Sequence, residues 1–212
     1  MYVIYTQVDA KTGVPASQTL MRNGPKMPEG ITFSFALESQ YPLKNDQHPV
    51  FYGTTDRDDL PEWVDIITQE QFEADRDAEM QARYDKLLAQ KIEQAAAERW
   101  RVETAGITLD NGAFVNTAEK DQNRISNAYS SLKNGLVDQI DFKGANGWAV
   151  MTLVELEPIA KAVAQHVSTY CFGAERDVTD QLNSMDYTAL QTADVQQLFE
   201  DAYQARKELD NA

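Results

Sequence analysis

The chain has 212 residues, 42% of them hydrophobic, and its 34 acidic and 19 basic residues give a net charge of −15. This balance argues against nucleic acid as a partner, because phosphate binding needs a cationic surface. The single cysteine excludes an intrachain disulfide, and no apolar run is long enough to span a membrane. We therefore expect a protein made in a cytoplasm, folded as one or two small domains.

Residues 1–67 are predicted to form a small β-rich module. Four segments have the β-branched and aromatic composition of strands: 2–8, 14–21, 31–37 and 50–53. Alternation in the third segment predicts that Phe33 and Phe35 share one face, and residues 54–67 are predicted to connect the module to a helix. Asp56, Asp58 and Asp59 lack the glycine and glutamate of a calcium loop, so we predict no metal there.

This module is rich in aromatic side chains: Tyr2, Tyr5, Phe33, Phe35, Phe51, Tyr52 and Trp63. A β module of this size is marginally stable alone and cannot easily hide so many large apolar groups. We therefore expect it to be an anchoring module, held against another protein.

A long helix is predicted for residues 68–104, which contain no glycine or proline. Thr68 and Gln71 occupy the N-cap and N3 positions of a capping box. Such a helix is roughly 55 Å long, and a compact globule of this chain length is only about 43 Å across, so we expect the helix to project. Its apolar stripe is a predicted interface with a second copy or a partner helix: Met80, Tyr84, Leu87, Leu88 and Ile92. The alternative is that this stripe packs on the protein's own strands.

Two hairpins and two helices are predicted for residues 105–185. Asp110-Asn111-Gly112 marks the first turn, and Asn116 or Thr117 can cap a helix over 118–133. The second hairpin turns at 144–147 and leads to a capping box, Thr152 with Glu155, which starts the next helix. Residues 186–212 are predicted to be a C-terminal helical tail. The predicted fold class is α+β: an N-terminal β-rich module, a projecting helix and a C-terminal helix-hairpin-helix-hairpin-helix domain.

No residue pattern predicts catalysis, a cofactor or a metal site. The nucleophile elbow, the phosphate loop, the dinucleotide fingerprint and the zinc-protease motif are all absent from the sequence. His166 and Cys171 are five residues apart, which points them to different faces of an α-helix. With 34 acidic residues, paired carboxylates arise by chance, so a glycan-cleaving enzyme is a distant third possibility.

Several separated segments carry a family resemblance: WRVETAGITLDNGAFVNTAEKDQNRI, GWAVMTL and AVAQHVSTYCFGAE, within residues 97–185. They resemble DUF4376, a small domain found in bacteriophage tail proteins. The resemblance carries no catalytic residues. It implies a structural or adaptor component of a tailed phage virion, in the baseplate, tail tip or tail-fibre attachment region.

The resemblance also implies a location and partners. The protein would be made in the host cytoplasm and end in the virion tail, as a homo-oligomer or in multiple copies, in contact with other tail, fibre or baseplate proteins. The competing hypothesis is a tail-fibre assembly chaperone that leaves the particle.

Overall fold

A computed structural model describes residues 1–15, 24–44, 47–144 and 147–210. The chain divides into two compact units, Met1–Lys86 and Leu87–Ala212, and this division falls inside the long helix. Strands dominate before that helix and helices dominate after it. The coarse α+β prediction is therefore confirmed, with a strand-rich N-terminal region and C-terminal helices.

The first unit contains six strands among its described residues: β1 (Tyr2–Thr6), β2 (Val8–Asp9), β3 (Pro25–Lys26), β4 (Thr32–Ala36), β5 (Val50–Thr54) and β6 (Val64–Ile67). Four of them form an antiparallel sheet in the order β4-β5-β1-β6, and β2 pairs with β3. The edge strand β6 corrects the prediction that this segment is only a connection. It pairs with β1, a partner about 60 residues away that local patterning does not identify.

The sheet of the first unit buries side chains on both faces. On one face Phe35 stacks on Tyr52 at 4.3 Å, and the ring of Phe72 lies 5.4 Å from Phe35. On the other face Val3 and Tyr5 form a core with Val64. Of the predicted strand at 14–21, residues 16–21 lie outside the described residues.

A register irregularity in β4 corrects the predicted alternation. The pairing with β5 shifts between Phe33 and Phe35, as a β-bulge does. Phe35 therefore faces Tyr52 and the helix, and Phe33 lies on the opposite face, 6.3 Å from the ring of Phe51. One inserted residue reverses the side to which every later side chain points, and sequence alternation does not reveal it.

Helix α1 spans Gln69–Glu103. The predicted N-cap is confirmed, because Thr68 Oγ1 accepts a hydrogen bond from the backbone N–H of Gln71 at 3.1 Å. The Gln71 side chain does not return to Thr68 and instead donates to Asp75 at 2.6 Å. Within the first unit, Phe72 is the buried apolar residue of this helix.

A buried carboxylate also fixes the first half of α1. Glu79 is 4% exposed, and its two oxygens accept hydrogen bonds from the Ser39 N–H at 2.9 Å and the Ser39 hydroxyl at 2.5 Å. Arg83 pairs with Glu79 at 2.6 Å and donates to the carbonyl of Ala36 at 2.6 Å. Charged side chains of α1 thus hydrogen-bond to the end of β4 and the turn after it, which an apolar stripe does not predict.

The second unit begins with the rest of α1. The elements after it are β7 (Ile107–Thr108), β8 (Phe114–Val115), α2 (Glu119–Lys133), β9 (Ile140–Gly144), β10 (Gly147–Met151), α3 (Leu153–Ala164), a π-helical segment (Gln165–Cys171), α4 (Phe172–Ser184), α5 (Tyr187–Thr192) and α6 (Val195–Asp210). Both predicted hairpins form, β7 with β8 and β9 with β10, although Ala145 and Asn146 of the second turn lie outside the described residues.

In the second unit, the helix cap predicted from the sequence is present at α3 and differs at α2. The Thr152 and Glu155 capping box at α3 is confirmed, with the Thr152 N–H donating to Glu155 at 2.8 Å. At α2 the N-cap is Ala118, which provides no side-chain bond, and Thr117 is used elsewhere. Residues 187–210 contribute buried side chains to this unit: Leu190, Val195, Phe199, Ala202 and Tyr203.

The first prediction concerns Glu79. Burial alone would raise the pKa of this carboxyl, but the hydrogen bonds from Ser39 and the pairing with Arg83 lower it below the ordinary value of 4.5. The group therefore stabilises the fold above that pH, and this contribution is lost as the pH falls through the folded-state pKa. We expect Glu79→Gln to cost about 1.5 to 3 kcal/mol at pH 7 and progressively less below about pH 4.5.

Thermal denaturation followed by circular dichroism across this pH range measures the effect. Glu93→Gln, which changes an exposed carboxylate on the same helix, is the control and should change stability by less than about 0.5 kcal/mol. A Glu79→Gln penalty independent of pH would contradict the assigned charged state.

The second prediction concerns the first hairpin turn. Gly112 has a φ of +80°, and a Cβ built there meets no atom within 4 Å, so backbone conformation alone opposes a side chain. We expect Gly112→Val to cost more than about 1 kcal/mol and Gly112→Asn clearly less, since asparagine tolerates positive φ better. Urea denaturation compares the two variants, and equal stability would refute this turn geometry.

Candidate functional site

The C-terminal end of α1 lies in a buried polar cluster of the second unit. The backbone carbonyl of Glu103 accepts hydrogen bonds from the hydroxyl of Thr117 and from Nε2 of His166, the latter at 3.2 Å. Thr117 Oγ1 in turn accepts from the Gly106 N–H at 2.9 Å. The last carbonyls of a helix have no partners within that helix, so these side chains supply what the helix lacks.

The Glu103 side chain is buried and paired as well. One carboxylate oxygen pairs with Arg99, and the other accepts a hydrogen bond from Gln122 at 3.0 Å. Arg99 also lies 2.6 Å from a carboxylate oxygen of Glu175, and its guanidinium sits 4.5 Å from the centre of the Phe172 ring. These contacts connect α1, α2 and α4. They also give the buried charges of Glu103 and Arg99 partners, and a buried charge without a partner would destabilise the fold.

The π-helical segment corrects the prediction for His166 and Cys171. A π-helix closes i to i+5 hydrogen bonds, so residues five apart come to the same side instead of separating as in an α-helix. Cys171 Sγ accordingly lies 3.8 Å from both ring nitrogens of His166. The sequence indicated both residues but not the change in helical pitch that brings them together.

The partners of His166 determine where its proton lies. Its Nε2 faces the Glu103 carbonyl, which only accepts, so Nε2 carries the hydrogen. Its Nδ1 then accepts from the Tyr203 hydroxyl at 2.9 Å. Burial lowers the pKa of His166, which keeps the ring neutral at pH 7.

The thiol beside this ring is not set up as a nucleophile. Burial, with the nearby charge of Glu103, raises the pKa of Cys171 to about 12. A catalytic cysteine needs the opposite shift and access to a substrate, and Cys171 is fully buried. Within the described residues, no group of three or more histidine, cysteine or acidic residues could hold a metal ion. The cluster therefore acts in packing and satisfies buried polar groups.

A different part of the second unit exposes large apolar side chains. We define the hairpin patch by five of them: Phe114, Leu136, Val137, Trp148 and Val154. Trp148 is 72% exposed and Val154 is 80% exposed. Exposed apolar side chains that cluster in this way are typical of binding surfaces, whereas single ones are ordinary.

Trp148 joins the two halves of the hairpin patch. It lines a groove of about 480 Å³ between the two hairpins, together with Phe114 and Val154. It also lines a neighbouring depression that contains Leu136 and Val137. The patch is therefore continuous around the tryptophan.

Local structure explains why Leu136 belongs to this patch. Gly135, with φ of +67°, ends α2, and the Leu136 N–H donates to the Ser131 carbonyl at 3.0 Å. This is a Schellman motif, in which the residue at the Leu136 position usually packs back onto the helix. Leu136 is instead largely exposed. The sequence Asn-Gly before Leu-Val predicts that α2 ends here, but it does not predict that the Leu136 side chain is exposed.

The predicted helix stripe is only partly covered. Met80 is 45% exposed, and Tyr84, Leu87, Leu88 and Ile92 are partly buried. The buried apolar positions of α1 are others, Phe72 in the first unit and Ala95 in the second. Whether the stripe forms an interface remains a prediction.

The aromatic residues of the anchoring module largely pack within the first unit. Tyr5 and Tyr52 are buried, and Tyr2, Phe35, Phe51 and Trp63 are partly buried. Phe33 is the most exposed of the seven, at 52%. The ring of Tyr2 contacts Phe72 at 4.7 Å, so the start of α1 covers part of the apolar surface that the sequence assigned to a partner.

Comparison with known proteins finds a family match that covers all of α1 and most of the second unit. A family model described as "Domain of unknown function (DUF4376)" matches residues 68–208, well over half of the chain. The chain belongs to the DUF4376 family. No curated protein and no solved structure matches it.

The DUF4376 match is longer than the resemblance at residues 97–185 seen in the sequence. It includes the whole of α1 and extends into α6, so both the buried polar cluster and the hairpin patch lie inside it. The four-stranded sheet of the first unit lies outside it. Among the described residues, none of the helices combines the length and apolarity that crossing a bilayer requires.

The third prediction concerns Cys171. Because the thiol is buried and its pKa is raised to about 12, we expect no reaction with Ellman's reagent in the native protein and one equivalent after unfolding in guanidinium. Ser168→Cys in a Cys171→Ser background places an exposed thiol in the same segment and should react at once. Native-state labelling of Cys171 at the control rate would show that the cluster is accessible to reagents.

Proposed function

We propose that this DUF4376 protein is a structural or adaptor component of a tailed bacteriophage virion, located in the baseplate, tail tip or tail-fibre attachment region. The observation that carries the binding role is the hairpin patch, where large apolar side chains surround an exposed tryptophan. Tryptophan is among the residues most often found at the energetic centre of protein interfaces. The assignment to a phage tail comes from the sequence resemblance.

The chemistry of the second unit favours binding over catalysis. Its histidine and cysteine are buried and both are held in their neutral forms, an imidazole and a thiol. The charged side chains that line the groove between the hairpins are Asp121, Arg124, Lys143 and Glu155, and its other lining residues are uncharged. Catalytic sites combine perturbed titratable groups with access to substrate, whereas His166 and Cys171 lie inside the core.

The size of the hairpin patch favours a second candidate, a tail-fibre assembly chaperone. Five side chains around a groove and the depression next to it are fewer than an obligate interface normally buries, and a protein that must release its client uses smaller contacts. Permanent attachment would require further surface, for which the first unit is available.

The fourth prediction separates these two candidates. Mass spectrometry of purified, salt-washed particles of the encoding phage should recover the protein in fixed proportion to known tail proteins. Its absence from particles that carry complete fibres would refute the virion role in favour of the chaperone.

A pair of variants tests the patch itself. Val154→Asp places a charge on its most exposed residue and should remove the protein from particles or abolish fibre attachment, because an interface centre costs about 2 kcal/mol or more when disrupted. Leu209→Asp changes a residue of similar exposure on α6 and should leave assembly intact. Equal behaviour of the two variants would exclude the hairpin patch as the binding surface.

A further inference from the structure

Strand β10 has one edge without a neighbour in the part of the chain that the structure describes. It pairs with β9 on one side, in a two-stranded sheet. Gly147, Trp148, Ala149 and Val150 are all exposed, and Val150 is 56% exposed. A free edge with apolar side chains is a template for pairing with another strand.

The usual protection of such an edge is missing from β10. Proteins block free edges with charged residues or proline, and β9 fits this pattern, since Asp141 and Lys143 alternate along it. The sequence of β10, GWAVM, contains neither charge nor proline, in a chain of which 25% is charged. The two strands of this hairpin therefore differ: β9 has the charged residues that hinder pairing with another chain, and β10 has none.

The pairing register shows which backbone groups face outward from β10. Gly147 faces Gly144 across a connection of two residues, and the pair that closes such a loop exchanges both of its hydrogen bonds. Alternation then directs the N–H and C=O of Ala149 and Met151 toward β9. Those of Trp148 and Val150 point to the free edge.

We propose that β10 pairs with β10 of a second copy of this chain, antiparallel about a two-fold axis at Ala149. In this register Trp148 faces Val150 of the second copy, and Val150 faces Trp148. These are the residues whose backbone groups point outward, so four hydrogen bonds form. The two hairpins then become one four-stranded sheet.

The side chains of β10 and the charge of the chain support a second copy as the partner of this free edge. Each Trp148 and Val150 pair is an aromatic and β-branched cross-strand pair, a favourable combination on one face of a sheet. Ala149 meets Ala149 of the second copy at the axis, where the backbones approach most closely and a small side chain fits. Because each copy has a net charge of −15, an uncharged strand is a surface where two copies can approach without strong repulsion.

The contact is small by the standard of stable dimers. Five residues of strand and a few flanking side chains bury less surface than a permanent interface does. We therefore expect a reversible dimer that dissociates in the micromolar range. The inference does not rest on the proposed function, since the purified chain is enough to test it.

The experiment introduces a positive or a negative charge at Ala149 in the full chain. Sedimentation equilibrium over micromolar concentrations measures self-association. Ala149→Lys and Ala149→Glu each place two like charges at the axis and should each weaken self-association by at least about tenfold. An equimolar mixture should restore a dimer, and salt should weaken that mixed dimer. The far-ultraviolet circular dichroism and the thermal midpoint at low protein concentration should stay unchanged, because Ala149 is exposed.

Matched controls use the same substitutions at an exposed alanine of α3. Ala164→Lys and Ala164→Glu alter the net charge equally and should dimerise like the unmodified chain. A monomeric unmodified chain, unaffected Ala149 variants or a mixture that fails to dimerise would each overturn the proposal. A monomer that nevertheless enters virions would leave the proposed function standing and assign the β10 edge to another protein's strand.

Discussion

The second unit depends on how the C-terminal end of α1 is satisfied. A helix of this length ends in carbonyls that need donors, and here the donors come from distant parts of the chain, Thr117 and His166. The carboxylate of the same residue, Glu103, holds Arg99 and Gln122. One residue thereby links the first hairpin, α2 and the π-helical segment. Removing either kind of donor would leave buried polar groups unpaired, which costs more than a hydrogen bond contributes.

The π-helical segment meets this requirement. Its wider turn presents His166 toward the end of α1 and brings Cys171 behind the ring. Residue types associated with catalysis thus occur here in a setting that suppresses their reactivity, since burial lowers the pKa of the imidazole and raises that of the thiol. A neutral ring with its proton on Nε2 can donate to the Glu103 carbonyl through Nε2 and, at the same time, accept from the Tyr203 hydroxyl through Nδ1.

The surface of the second unit, and not this buried cluster, carries the function we propose. The hairpin patch and the free edge of β10 share Trp148, so one strand can take part in two kinds of contact, through its side chains and through its backbone. The adaptor role we propose would use one surface for a different protein and one for a second copy of this chain. This combination agrees with the adaptor role we propose.

The sequence alone determined the elements whose signals are local. Glycine-free helix formers and a capping threonine predict α1, Asp-Asn-Gly predicts the first turn, and Thr152 with Glu155 predicts the start of α3, because each depends on neighbouring residues. Tertiary structure decided what depends on distant partners. It added β6 to the sheet, turned Phe33 away from Phe35 through a bulge and buried Glu79 against Ser39. The exposure of Trp148 is of the same kind, since whether an apolar side chain is covered depends on every other element around it.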